Sequence, residues 1–139
     1  MRNRAGIILY CKKHKKLLLI HRFKEGREFY VVPGGGVEAL ESFEEAAVRE
    51  IKEELNYNVN DMEFFCTIRS NSGKEQYYIT FVEETTKFTI CGEELLRSNE
   101  NNRYLPTWIT IEQLADITLY PEELRKIMID KINLNLSLK

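Results

Sequence analysis

Two apolar runs rich in β-branched residues, Ala5–Cys11 and Leu17–Arg22, flank the basic stretch Lys12-Lys13-His14-Lys15-Lys16. Short apolar runs around a polar turn predict a hairpin of buried strands. Lys24–Glu28 is polar and contains Gly26, so it reads as a loop. Phe29–Val32 reads as a short strand stopped by Pro33 and the triple glycine Gly34-Gly35-Gly36. Alternation predicts strands over Asp61–Arg69 and Gln76–Glu83, around a loop at Ser70–Glu75, with Lys87–Ile90 as a candidate further strand. Gly92–Tyr104, rich in Asn and Glu, reads as a mobile loop with or without a helical turn, and Trp108–Ile111 as the last strand. Ile111–Ala115 and Pro121–Ile132 read as helices, with Pro121 suited to a first turn.

The best-signalled element starts at Ser42. Ser42 and Glu45 have the spacing of a capping box, in which each side chain accepts from the other residue's backbone amide. Phe43–Leu55 then consists mostly of good helix formers. At helical spacing Ala47, Val48, Ile51 and Leu55 form the expected buried stripe, and Glu50, Glu53 and Glu54 share a neighbouring arc. Asn56 stands where the helix should end, and asparagine tolerates the left-handed conformation better than most residues.

The chain has 139 residues, 43% of them hydrophobic and 30% charged, which suits one domain spanning 1–139 with a packed core and argues against a disordered chain. Twenty basic against 22 acidic residues give a net charge of −2, which argues against a nucleic-acid or membrane-binding role for the whole protein. No run approaches the roughly 18 apolar residues of a membrane helix, and Met1-Arg2-Asn3-Arg4 leads into a strand without a signal core. Cys11, Cys66 and Cys91 form neither an even set nor a CxxC pair, so buried free thiols in a cytoplasmic protein are expected. The charge is unevenly placed. Residues 1–27 carry nine Arg/Lys against Glu25 alone, and residues 38–54 carry seven glutamates against Arg49 and Lys52.

Three carboxylates on neighbouring turns repel one another. Arg49, four residues before Glu53, can bridge to it and leave a solvated acidic face. The alternative is a site for a hard cation such as Mg²⁺ or Mn²⁺, built from oxygen ligands on a rigid element. The preceding glycines favour the second reading, because a backbone without side chains approaches a ligand closely and offers carbonyl oxygens. His14 and His21 lie elsewhere with no cysteine beside them, which argues against zinc.

The segment Gly35–Tyr57, GGVEALESFEEAAVREIKEELNY, resembles the Nudix box, a glycine, five residues, Glu, seven residues, then R-E-U-x-E-E-x-G-U with U aliphatic. Gly35, Glu41, Arg49, Glu50, Ile51, Glu53 and Glu54 match it, while Asn56 replaces the glycine and Tyr57 the aliphatic residue. Leu17–Arg22 with Tyr30–Gly35, and Pro106–Ile109 with Ile111–Leu114, resemble the flanking elements of the same family.

The resemblance implies an α+β fold, an αβα sandwich around a mixed β-sheet. It also implies Mg²⁺-dependent hydrolysis of a nucleoside diphosphate linked to another group, with Mn²⁺ as an alternative cation. Carried over by position, Glu50, Glu53, Glu54 and the Gly35 carbonyl would hold metal. Arg49 would orient a glutamate, with Glu53 favoured as its partner, and Glu41 would support Arg49 by a salt bridge. The general base would be Glu53 or a glutamate of the polar loop (Glu93, Glu94 or Glu100), of which Glu94 is favoured. Arg22 and the nearby basic residues would meet substrate phosphates, with an ordinary strand-end arginine as the alternative reading of Arg22. Tyr77, Tyr78 and Phe81 are read as core and sheet-face residues, with base stacking as the alternative. No second signature marks the substrate, which leaves a small nucleotide: a nucleoside triphosphate, a nucleotide sugar or an ADP-ribose type. A nucleotide-binding module without turnover and an RNA 5′-end pyrophosphohydrolase are the alternatives, and the family allows a homodimer.

Overall fold

The alternation along β1 (Arg4–Cys11), buried over nearly its whole length, sorts the molecule into layers. In the computed structural model, which describes residues 2–138, Ala5, Ile7 and Leu9 face one side and Ile8 and Tyr10 the other. Met1 and Lys139 lie outside the described residues, as do the side chains of Glu93 and of residues 134–138. The remaining strands are β2 (Lys16–Lys24), β3 (Arg27–Val31), β4 (Gly34–Gly36), β5 (Glu63–Ser70), β6 (Gly73–Val82) and β7 (Asn102–Thr110). The path runs β3-β2-β1-β6-β5, with β4 paired to β1 and β7 to β2. The sheet is mixed, since β1 and β6 run parallel, from Arg4↔Glu75 to Cys11↔Val82, and the other pairs are antiparallel.

On one face α1 (Phe43–Leu55) packs Ala46, Ala47, Ile51 and Leu55 onto Ala5, Ile7, Leu9, Leu18 and Ile20. On the other, α3 (Glu122–Leu138) lays Leu124, Met128 and Ile132 over Ile8, Leu17 and Leu19. Leu114, in the 3₁₀ turn Glu112–Asp116, joins that second layer. The expected layering of helices about a mixed sheet is therefore found.

Several local expectations are corrected. Lys24–Glu28 is a hairpin end, turning at Glu25 and Gly26 (φ 49° and 79°), and its polarity reflects a strand end reaching into solvent. Gly34–Gly36 is a strand on β1 instead of a loop, because backbone pairing needs no side chains. The loop at Ser70–Glu75 shrinks to a turn at Asn71 and Ser72, and β6 begins at Gly73. Lys87–Ile90 forms no strand. Gly92–Tyr104 is largely ordered: α2 (Gly92–Arg97) is followed by β7, whose first half was hidden by polar positions facing out. Val48 is only half-buried, and the stripe of α1 includes Ala46 and Glu54 instead. Cys11 and Cys66 are buried free thiols, whereas Cys91, just before α2, is half-buried.

The α1 termini match their sequence signals. Ser42 Oγ accepts from the Glu45 amide at 3.0 Å, and Glu45 Oε1 accepts from the Ser42 amide at 2.9 Å. Asn56 closes the helix in the left-handed region (φ 54°, ψ 37°), its amide donating to the Lys52 carbonyl. We expect Ser42→Ala to lower unfolding free energy by about 1 kcal/mol in urea denaturation, with an unchanged m-value. An unchanged midpoint would mean that the box contributes nothing.

Candidate active site

The arrangement of charges at the site begins with how closely α1 lies on β4. A Cβ built on Gly35 would sit 1.9 Å from Glu50 Oε2 and displace that carboxylate, and one built on Gly34 would sit 2.2 Å from the Ala5 carbonyl of β1. Glu50 and Glu54 are thereby pressed towards the sheet, Glu54 at 5% exposure and Glu50 largely covered, while Glu53 stays exposed. Glu54 Oε2 has no hydrogen-bond partner among the described residues. Burial pushes the Glu54 carboxyl up to about 8, with Glu94 and Glu50 adding to the rise and Arg4 and the Gly34 backbone opposing it. Burial likewise raises Glu50, against the pull of Arg49.

Arg49 is the organising cation. Its Nε and Nη2 fork onto Glu41 at 2.7 and 3.0 Å, and Nη2 also donates to the Gly36 carbonyl at 2.9 Å. Nη1 reaches both Glu53 oxygens at 3.3 Å, with Glu50 at 3.6 Å and Glu38 at 3.7 Å. The fork holds Glu41 below the usual carboxylate range and raises Arg49 further. Arg49 thus meets both Glu53, the glutamate it was expected to orient, and Glu41, the residue expected to support it by a salt bridge, with the shorter, two-pronged bond going to Glu41.

Glu50, Glu53, Glu54 and Gly34–Gly36 line one cavity of about 430 Å³, a size ordinary for a small-ligand site of roughly 300–1,000 Å³. Glu94 joins them, on α2. The Cys91 amide donates to the Glu54 carbonyl at 2.7 Å, tying the start of α2 to the end of α1 and bringing Glu94 to the cavity. Arg22 also lines the cavity. Its guanidinium lies 3.8 Å from the Tyr104 ring centre and donates to Asn102 Oδ1 at 2.6 Å. Burial lowers its pKa from the ordinary value. Glu100 does not line the cavity, and the side chain of Glu93 is outside the described residues.

Of the other lining residues, Arg4 and Glu75 escaped sequence reasoning, whereas Tyr77 was read as core with base stacking as the alternative. Arg4, Glu75 and Tyr77 come from paired strands, and the parallel register Arg4↔Glu75 that joins them is a long-range pairing. Tyr120 and Pro121, just before α3, carry no local signal beyond the helix start. Tyr77 and Tyr78 are buried, as expected for core. Phe81 is exposed beside Lys12 and lines a different hollow. In the lysine turn, Lys13 and His14 both engage Glu84, at 2.7 and 3.2 Å, away from the carboxylate cavity.

No three Asp, Glu, His or Cys side chains among the described residues already converge as a coordination shell, and Glu53 is held by Arg49. The donor set still suits a hard divalent cation: carboxylate oxygens, one of them buried and unpartnered, over a backbone with no intervening side chain.

A family model described as the NUDIX domain matches residues 1–130. No curated protein sequence matches significantly. Among solved structures, the chain resembles one from work on MutT of Aliivibrio salmonicida and Vibrio cholerae, at 24% identity and TM-score 0.69, covering 94% of this chain and 98% of that one. It also resembles a C. elegans Ap4A hydrolase in a binary complex, at 20% identity and TM-score 0.71, covering 98% and 99%. A third is the NUDIX domain of Shewanella oneidensis NrtR complexed with ADP ribose, at 17% identity and TM-score 0.68, covering 95% and 87%. At such identities these likenesses speak for the fold.

A pH dependence follows from Glu54. Its folded pKa of about 8 lies above the ordinary 4.5, so between those values the folded chain binds the extra proton. Stability in EDTA is therefore expected to fall as pH rises through that window. Glu54→Gln should flatten the fall, as read from urea midpoints. Parallel profiles for the two proteins would contradict the burial argument.

Proposed function

The chain belongs to the NUDIX domain family, and from that premise we propose that it hydrolyses a diphosphate linkage in a nucleoside diphosphate derivative with Mg²⁺ or Mn²⁺. The observation that carries this reading is the buried Glu54 carboxyl, one of whose oxygens has no hydrogen-bond partner among the described residues, beside Glu50 and Glu53 over the bare backbone of β4. A carboxylate so placed is costly unless a proton or a cation meets it.

In this reading Glu50, Glu53, Glu54 and the Gly35 carbonyl hold the cation. When bound, it supplies charge neutralisation of the diphosphate and activation of water for attack at phosphorus. The protein's own contribution is positional. Glu41 locks Arg49 from one side, so Arg49 presents a fixed guanidinium to Glu53 and Glu50. Glu53 is exposed and Glu94 lines the same cavity, so either can take the proton from attacking water. Arg22, stiffened by Tyr104 and Asn102, is aimed where substrate phosphates would lie. A nucleotide sugar, a nucleoside triphosphate and an ADP-ribose type substrate all remain within this chemistry. The ADP ribose complex of the S. oneidensis domain supports the last of these, and equally a module that binds without turnover.

The test is product-resolved hydrolysis across nucleoside triphosphates, nucleotide sugars, ADP-ribose and dinucleoside polyphosphates, with Mg²⁺ and with EDTA. We expect metal-dependent cleavage of at least one class, and folded Glu53→Gln to turn over about 100-fold more slowly or worse. Near-normal turnover in that variant would refute the role of Glu53. Binding without cleavage by the wild type would favour the module.

A further inference from the structure

Three asparagines, Asn99, Asn101 and Asn102, follow α2 in the stretch whose polar composition reads as loop. α2 has only six residues, too few to stand as a helix on its own. Leu95 and Leu96 are exposed, so apolar burial does little to place it. Polar contacts place it instead. At its start the Cys91 amide donates to the Glu54 carbonyl. At its end Asn102 Nδ2 donates to the Arg97 carbonyl at 3.2 Å, while Asn102 Oδ1 accepts from Arg22 Nη2 at 2.6 Å. A carbonyl only accepts and a guanidinium only donates, so one orientation of this amide satisfies both neighbours. The backbones of Asn99 and Asn102 exchange bonds of 2.9 and 3.1 Å, and the Asn101 amide donates to Asn99 Oδ1 at 2.8 Å. The Glu25 amide, in the β2–β3 turn, donates to the Asn101 carbonyl at 2.9 Å. The end of α2, the start of β7 and the β2–β3 turn thereby form one hydrogen-bonded unit.

This unit spans the site. α2 brings Glu94 and Arg97 to the cavity, and β2 brings Arg22 there. An asparagine needed only to finish the helix would be redundant, because Asn99 Nδ2 also donates to the Arg97 carbonyl, at 3.4 Å. The bond from Arg22 is the shorter one and has no part in ending a helix. A neutral amide also leaves the Arg22 charge available to an anion, whereas a carboxylate in its place would pair with the guanidinium.

We propose that Asn102 is a positioning residue that holds the guanidinium of Arg22 and the helix carrying Glu94 in one fixed relation, so that a phosphate seated on Arg22 is presented to Glu94. Its effect on binding passes through Arg22, and its effect on turnover passes through Glu94. This rests on the hydrolase reading above and deepens it.

The test is a pair of double-mutant cycles in Mg²⁺, read as KM and kcat on the nucleotide that the hydrolysis panel shows to be cleaved. The proteins are the wild type, Asn102→Ala, Arg22→Met, Glu94→Gln and the two double variants that contain Asn102→Ala. We expect Asn102→Ala to raise KM and to lower kcat by about fivefold each, the order that a lost hydrogen bond produces. Added to Arg22→Met it should leave KM within about twofold, and added to Glu94→Gln it should leave kcat within about twofold, because residues acting through one partner do not add. Asn102→Thr, suited to a strand, replaces Asn102→Ala if the latter does not fold. Wild-type KM and kcat in the single variant would overturn the proposal and leave the hydrolase reading standing. Losses that multiply in the double variants, as a general structural defect would give, would do the same. If the wild type cleaves nothing, the hydrolase reading falls, and calorimetry with inorganic pyrophosphate in Mg²⁺ and amide ¹⁵N order parameters decide the positioning. Asn102→Ala should then weaken pyrophosphate by about fivefold, but not in the Arg22→Met background, and lower the order of residues 92–97 while α1 keeps its own. Unchanged affinity or unchanged order would overturn the proposal. A wild type that neither cleaves a nucleotide nor binds pyrophosphate overturns both.

Discussion

The close approach of α1 to a strand without side chains is the constraint on which the site depends. A Cβ at Gly35 would overlap the Glu50 carboxylate. Because nothing intervenes, the helix lowers Glu50 and Glu54 against the sheet and holds them half to fully out of water. Removing water from a carboxylate favours its neutral form. The same burial that gives the helix its packing therefore leaves these carboxyls to be neutralised by a proton or by a cation. Ala46, Ala47 and Ile51 make the approach possible from the helix side, since two of the three are small.

Charge is then distributed by geometry. Arg49 sits at the edge of this crossing and shares its donors among Glu41, Glu53 and the Gly36 carbonyl. Such a fork fixes direction more firmly than a point charge would. Its bond to Glu41 makes it a brace, so Glu53 is steered without being fully neutralised. Arg22, which lines the cavity with Arg2, Arg4 and Arg97, is braced by stacking on Tyr104 in the same manner. Arg49 and Arg22 are thus each held by groups other than the candidate substrate.

Much of this was legible along the chain because it is local. The capping box, the helix end at Asn56 and the clustering of Glu50, Glu53 and Glu54 follow from spacings within one helix. The apolar runs of β1 and β2 gave the layers, since continuous burial needs cover on both faces. What was not legible depends on partners distant in sequence. Glycines 34–36 looked like a loop because strand pairing with β1 has no side-chain signature. The burial of Glu54 could not be read from helical periodicity, which assigns a glutamate to solvent. Tyr120 entered the cavity through a backbone pairing with Tyr30, ninety residues earlier, and Arg4 met Glu75 through a parallel register. The polar face of β7 hid a strand behind a solvent-like composition.

Glu54, buried with Oε2 unpartnered among the described residues, is proposed as part of a divalent-cation site. Electron paramagnetic resonance of Mn²⁺ measures this directly, because the sharp six-line signal of the free ion broadens on binding. We expect saturable loss of free Mn²⁺ signal with the wild type, relieved by competing Mg²⁺, and at least a tenfold weaker effect with folded Glu54→Gln. Equal Mn²⁺ binding by the two proteins, or none by the wild type, would contradict it.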